Sequence, residues 1–387
     1  MALRFLTAGE SHGKALTAII EGMPAGLALS EAYLAHDLAR RQGGHGRGGR
    51  QKIESDRAEI VSGVRHGLTL GSPITLVIAN RDWENWREAM AVEALSGPVD
   101  KVTRLRPGHA DVAGAMKYAQ DDVRAILERA SARETAARVA VGAVARRLLD
   151  EFGVAVHSHT VAIGEVEAKG AVAPDWQAVE QSSLRCADPD AERRMVAAID
   201  AARADGDSLG GVTEVRASGV PIGLGSHVHW DRRLSGLLAA AVMSIPSVKG
   251  FEMGDGFALG RMRGSQSQDV ILPIEEWAGR PWRRGSNHAG GLEGGMTNGE
   301  PIIIRAALKP ISTLVKPLPS ADLATGKSVE AHYERADVCI APAAGVIAEA
   351  MVAITLAAAL LDKFGGDHVS ETLRNYQAYV ETVRPHP

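Results

Sequence analysis

Residues 106–149 read RPGHADVAGAMKYAQDDVRAILERASARETAARVAVGAVARRLL, and the fold can be worked outward from them. Arg106-Pro107-Gly108-His109-Ala110-Asp111 cannot be helix interior, because Pro107 fixes its own φ and Gly108 adds backbone freedom. The chain is therefore predicted to turn there and to present Arg106, His109 and Asp111 from a loop. Ser131-Ala132-Arg133-Glu134 has the spacing of a capping box, with the Ser131 hydroxyl accepting from the Glu134 amide and the Glu134 carboxylate reaching back. A helix should restart at Ser131. Behind it Ala136, Val139, Ala140, Ala143 and Val144 form an apolar stripe on an Ala-rich and closely packed helix. Arg129 and Arg133 flank its N-terminus, where free amides and the positive dipole end attract phosphate or carboxylate. Taken alone, the stretch is more simply a buried helix with solvated arginines at one end.

The 387 residues are 45% hydrophobic and 23% charged, the balance of a soluble globular chain. A formal net charge of −4 argues against a general binder of nucleic acid or membrane surface, so any anion site must come from local clustering. Cys186 and Cys339 are far apart and in no metal-ligand spacing, which fits a reducing compartment, with cytoplasm the default. The start, MALRFLTAGESHG, lacks a basic segment followed by an apolar run, so no signal peptide is predicted. Val338 to Leu361 is long and apolar but holds Pro342, Gly345 and Glu349; it reads as a buried core helix from Val346 to about Phe364, stopped by Gly365-Gly366.

Strands are predicted at Leu3 to Thr7 and Ala15 to Met23, joined by Ala8-Gly9-Glu10-Ser11-His12-Gly13-Lys14. That connection sets a Ser and a His between glycines, a hydroxyl and a proton carrier where backbone can approach a ligand. Ser30 can cap a helix from Glu31 to Gln42 that buries Leu34 and Leu38. Gly43 to Lys52 then holds five glycines, with Arg40, Arg41, Arg47, Arg50 and Lys52 crowding its length, as in a lid that closes on a multiply charged anion. Further strands are expected at Ala58 to Val64, Ile74 to Asn80, Val154 to Val166, Val212 to Ala217 and Ile302 to Leu308, with helices at Asp190 to Arg203 and Arg232 to Met243. Residues 165–208 look like an accessory excursion on one domain of residues 1–387. Trp83 and Trp86 suggest an interface. Lys309-Pro310-Ile311-Ser312-Thr313 offers one cation and two hydroxyls to a phosphate tail. His157/His159 and His227/His229 each place two imidazoles on one face of a strand, yet no carboxylate or cysteine spacing accompanies them, so no metal site is expected. Runs of strands and helices without regular βαβ alternation indicate an α+β fold.

Gly9-Glu10-Ser11-His12-Gly13, Arg106-Pro107-Gly108-His109-Ala110-Asp111, Arg129-Ala130-Ser131-Ala132-Arg133-Glu134-Thr135 and Ser286-Asn287-His288-Ala289-Gly290-Gly291, in this order and at these distances, resemble the chorismate synthase family. The resemblance runs from Phe5 to about Phe364, with Arg40-Arg41 and Lys309-Pro310 also in place. It implies a β-α-β sandwich with antiparallel sheets, usually a homotetramer. It also implies a 1,4-anti elimination of phosphate from 5-enolpyruvylshikimate 3-phosphate to give chorismate, with reduced FMN required although no net redox change occurs. By the same resemblance, reduced flavin lends electron density while a proton leaves C6. His12 would protonate the departing phosphate, with Ser11 beside it, and His109 would sit near flavin N1. Asp337 matches the family's acid near flavin N5. FMN would be held by Arg129, Ala130, Ser131, Pro246, Ser247, Gly294, Lys309, Pro310, Ile311, Ser312, Thr313 and Arg335. Arg41 and Arg47 match positions assigned to NADPH phosphate and equally suit substrate phosphate. Arg106 and Arg133 are further candidates for substrate anions.

Two departures stand out. Many members read Arg-His-Asp-Pro-Cys where this chain has Arg335-Ala336-Asp337-Val338-Cys339, and carry an arginine where Ala343 stands, which resembles a known subgroup. The alternatives are a flavin reductase oxidising NADPH, an anion-binding scaffold, and a metal hydrolase. No G-x-G-x-x-G follows a strand, so reduced flavin is expected to come from elsewhere. A scaffold would have no need of imidazoles in glycine-bracketed loops.

Overall fold

The computed structural model describes residues 3–48, 55–97, 99–169, 173–274, 282–334 and 337–383. Two antiparallel sheets enclose a layer of helices. The first sheet runs in the order Arg4–Ala8, Ala15–Glu21, Ile74–Ala79, Glu59–Ser62. Its central strands alternate, so Leu16, Ala18 and Ile20 face the helices together with Ile74, Leu76 and Ile78, all 1% exposed or less. The second sheet runs Val248–Met253, Ile302–Leu308, Gly211–Ser218, Ala155–Ile163, Val166–Glu167, and is antiparallel throughout. The implied β-α-β sandwich of the α+β class is what the chain forms.

The helix Thr135–Asp150 packs on the first sheet, and Ala341–Phe364 packs on the second and against Thr135–Asp150. Small residues permit that approach: a Cβ at Gly142 would lie 2.3 Å from Ala350 Cβ. Leu34 and Leu38 of Glu31–Gln42 are fully buried beside these helices, each burial contributing roughly 1.5–3 kcal/mol.

Glu349 lies within this layer, completely buried. It accepts from Arg40 Nη1 at 2.8 Å, Arg146 Nη2 at 2.6 Å, Arg185 Nη2 at 3.2 Å and Ser158 Oγ at 2.6 Å. Burial opposes its ionisation, but the three guanidinium groups outweigh burial and hold the carboxyl well below its usual range. Arg185 comes from the stretch expected to be an excursion, which also adds Val166–Glu167 to the edge of the second sheet. The same helix is the one segment among the described residues long and apolar enough to cross a membrane, and here it is a core helix.

Several expectations need correction. The core helix begins at Ala341, not Val346, because Pro342 falls in its first turn, where no backbone donor is needed. Ser131 is an N-cap, but its hydroxyl accepts from the Arg133 amide at 3.3 Å, and Glu134 is spent on Arg138 at 2.9 Å; no capping box forms. One 3-10 turn, Ala132–Glu134, intervenes before the α-helix starts at Thr135. His227 and His229 lie outside any strand. His159 is buried against Glu214 at 3.1 Å, and His157 stacks on Trp176 with ring centroids 4.8 Å apart. No group of three metal-ligating side chains occurs among the described residues.

Candidate functional site

A cavity of about 630 Å³ opens where the N-terminal end of Thr135–Asp150, the first sheet's loops and the start of Ala341–Phe364 meet. His12 and His109 both line it, with Arg41, Arg47, Arg106 and Arg133 around them.

The His12 loop is held at three points. Arg129 donates to Gly9 O at 3.0 Å and to Thr7 O at 2.9 Å. Asn80 Nδ2 donates to Glu10 O at 3.1 Å and Gly13 O at 2.7 Å. Glu128 takes the middle: its backbone carbonyl accepts from Ser11 N at 3.0 Å, and its carboxylate accepts from His12 N at 2.8 Å and His12 Nδ1 at 2.9 Å. Trp86 stacks on the imidazole with centroids 3.8 Å apart and planes 24° from parallel. Burial pushes the Glu128 carboxyl up, but hydrogen bonds from His12 and Arg124 and the His12 charge outweigh it and leave it below its ordinary value. Glu128 is therefore an anion beside an imidazole.

His109 sits in a tighter, local arrangement. Gly108 takes φ +77°, the left-handed turn that an L side chain resists, and its carbonyl accepts from Lys309 Nζ. Asp111, fully buried at the start of helix Asp111–Tyr118, accepts from His109 Nδ1, from Arg106 N at 3.1 Å and from Arg106 Nε at 2.9 Å. Burial raises the Asp111 carboxyl, but the bonds from His109 and Arg106 win and bring it down to about 2. Between the two histidines, Arg124 bonds Glu128 and Glu334, each at 3.0 Å, and Glu334 Oε2 lies 3.9 Å from Arg106 Nη1. The two imidazoles thus stand at the ends of one chain of alternating charges.

The arginines are only partly compensated, Arg41 and Arg133 sharing Asp56. Arg133 Nε donates to Asn80 Oδ1 at 3.0 Å and Nη1 to buried Asp56 at 2.5 Å; Arg41 bonds Thr135 Oγ1 and the Ala132 carbonyl at 3.0 and 2.9 Å. Burial lowers the Arg41 guanidinium to about 10, Asp56 opposing and neighbouring Arg47 and Arg133 adding to the fall. Arg47 pairs with Asp337 at 2.7 Å, and Gly48 N also donates to Asp337 at 2.6 Å. Arg47 Nε is buried and unpartnered among the described residues while it lines the cavity.

At the other side Pro246, Ser247, Lys249, Lys309, Ile311, Ser312 and Thr313 line the cavity. Neither lysine is ion-paired among the described residues, and burial with Lys249 nearby lowers Lys309. Two uncompensated ammonium groups beside three hydroxyls fit a phosphate. Ser11, Ala130 and Ser131 all line the cavity, and the Ser131 hydroxyl donates to Ser11 Oγ at 3.2 Å.

Three of the residues expected to hold FMN lie outside the lining of this cavity. Arg129 is consumed by Thr7 and Gly9 and does not line the cavity; neither do Gly294, in the turn of hairpin Leu292–Thr297, and Pro310. The Ser286–Gly291 motif closes on itself: Asn287 Oδ1 accepts from Gly291 N at 2.8 Å, and His288 bonds Asp255 at 2.5 Å. Arg335, Arg50 and Lys52 lie outside the described residues. Conversely, Trp86, Lys249 and Glu334 line the cavity, and Glu128 and Asp56 support it, though nothing in the motifs pointed to them.

Known proteins resemble this chain over nearly its whole length. The family model for chorismate synthase matches residues 3–361. The chain is 56% identical to a chorismate synthase of Moorella thermoacetica, over 98% of this chain and 100% of the other. It is 55% identical to one of Trichlorobacter lovleyi, over 99% and 100%. A crystal structure of chorismate synthase superposes with a TM-score of 0.79 at 44% identity, covering 99% of this chain and 98% of that one.

Proposed function

The chain belongs to the chorismate synthase family, lyases of the shikimate pathway that eliminate phosphate to form chorismate, and on that premise we propose that its large cavity holds substrate and reduced FMN together. What supports this is one observation: two imidazoles, each with a carboxylate on Nδ1, face a single cavity lined by four arginines and two lysines. Substrate and flavin together bring two carboxylates and two phosphates, which explains why a chain of net charge −4 gathers its cations there.

The flavin, when bound, supplies electron density to the allylic system as the phosphate leaves. The remaining work falls to the protein. Lys309 and Lys249, with Ser247, Ser312 and Thr313, hold the flavin phosphate, and Ala130 and Ser131 present the helix N-terminus. Arg41, Arg47 and Arg133 receive substrate anions, the crowding of the three making an added anion favourable. Arg106 acts mainly by fixing Asp111. His12, whose Nδ1 is taken by Glu128, gives its Nε2 proton to the departing phosphate. His109, on the cavity wall, would adjust the charge of the reduced flavin ring when it is bound. Asp337, held by Arg47 and the Gly48 amide, helps relay the C6 proton. The same proposal includes one domain, since both sheets share a single helical layer. It also includes a cytoplasmic location, the homotetramer that the family resemblance implies, to which exposed Trp230 and Phe257 offer apolar surface, and flavin reduced elsewhere, with NADPH the alternative reductant.

Anaerobic phosphate release from 5-enolpyruvylshikimate 3-phosphate tests the reading, comparing dithionite-reduced FMN, oxidised FMN, oxidised FMN with NADPH, and no flavin. Release with reduced FMN alone is expected. Equal rates with no flavin would overturn the proposal.

A further inference from the structure

Glu128 is one of the most deeply buried carboxylates in the molecule, 1% exposed, and the family's motifs leave it without a task. It does not line the cavity, so it can act only through a neighbour. Both ends of the residue grip the Ser11-His12 pair, the carbonyl holding Ser11 N and the carboxylate holding His12 N and Nδ1. A carboxylate that takes hydrogen bonds from Arg124 and a backbone amide is an acceptor only, so His12 Nδ1 must carry a hydrogen. That leaves the other ring nitrogen, Nε2, as the group that trades protons. Trp86 covers the ring face at 3.8 Å, and Arg124, bonded to Glu128, sits 5.1 Å from the Trp86 ring centroid. The four side chains form a closed loop of contacts.

We propose that Glu128 is the positioning residue for His12, fixing its tautomer and stabilising the doubly protonated ring until the proton is given up. This rests on His12 being the proton donor of the proposed reaction. The balance is simple: as the C–O bond breaks, the Nε2 proton passes to the phosphate oxygen. The ring left behind is neutral, its Nδ1 still carrying a hydrogen that it donates to Glu128. Trp86 holds the plane throughout.

A double-mutant cycle separates positioning from scaffolding, read as anaerobic phosphate release with FMN bound. Glu128→Gln keeps shape and one acceptor but removes the charge; Glu128→Asp keeps the charge but withdraws it by one methylene. In the otherwise native enzyme, each should lower kcat about 10- to 100-fold with KM changed less than about 3-fold. In a His12→Ala background, Glu128→Gln should change kcat less than about 2-fold, because its route of action is gone. Losses that multiply in the double variant, or a native kcat in both Glu128 variants while His12→Ala is impaired, overturn the inference. Full activity in His12→Ala overturns the proton-donor assignment itself. Thermal unfolding checks folding, and nitrogen-15 spectra of the histidines supply a readout independent of rate: the Nδ1-protonated signal of His12 should persist in Glu128→Gln and vanish in Glu128→Ala. Its persistence in Glu128→Ala would also sink the inference.

Discussion

His12 and His109 border the same cavity and each leans on a carboxylate through Nδ1, yet they are built in opposite ways. The carboxylate of His109 is Asp111, two residues on, in a turn shaped by Pro107 and Gly108 and locked by Arg106. The carboxylate of His12 is Glu128, 116 residues away, and the face of the ring is closed by Trp86 from a third segment. One imidazole is held by its own loop, the other by the assembled fold. A local device survives small disturbances elsewhere; a distributed one reports on whether the molecule has come together.

The largest expected effect falls on turnover. His12→Ala and His109→Ala should each lower kcat roughly 10²- to 10⁴-fold, the usual range for a positioned proton-transfer group, with FMN affinity little changed in equilibrium titrations. A variant that lost flavin binding and turnover in proportion would move that histidine from chemistry to cofactor binding.

Next comes stability, where the two carboxylates should part company. Asp111→Asn leaves the buried Arg106 guanidinium with only Glu334, 3.9 Å away, as counter-charge and should cost about 3–5 kcal/mol in urea unfolding. Glu128→Gln should cost less, because Arg124 keeps Glu334 at 3.0 Å. Equal losses would show that the two sites are not organised differently.

The pH dependence sharpens the same contrast. Asp111 titrates in the folded protein at about 2, below an ordinary aspartate near 3.9, so its contribution is complete above about pH 4. That contribution disappears as pH falls from about 4 to about 2. In Asp111→Asn the fall of stability across this window should be shallower than in the native chain, as measured by unfolding at each pH.

The smallest effect concerns the stack on His12. Trp86→Phe keeps an aromatic face and should leave kcat within about 2-fold, whereas Trp86→Ala should lower it roughly 2- to 10-fold, the worth of one aromatic pair.

The contrast also explains what could be learned from the residues alone. The Pro107-Gly108 turn, the helix stripe behind Ser131 and the alternation in Ala15–Glu21 are local or periodic, so the α+β class and the loop bearing His109 were legible. Asp56, Glu128 and Lys249 carry no periodicity; their roles exist only once distant strands and helices meet. Arg129 shows the converse: its place beside a helix start suggested a phosphate ligand, but nothing local revealed that Thr7 and Gly9 would claim it. Pro342 misled for a third reason, since proline ends a helix in its interior but opens one in its first turn. The β-α-β layering itself came from resemblance, because sheet order is a matter of long-range pairing.

The most direct test of the central claim is single-turnover phosphate release, under anaerobic conditions and at matched FMN occupancy, for the native chain, His12→Ala and His109→Ala. Two imidazoles serving one cavity predict a loss of at least about 100-fold in each variant with flavin still bound. Native release rates in either variant would contradict it.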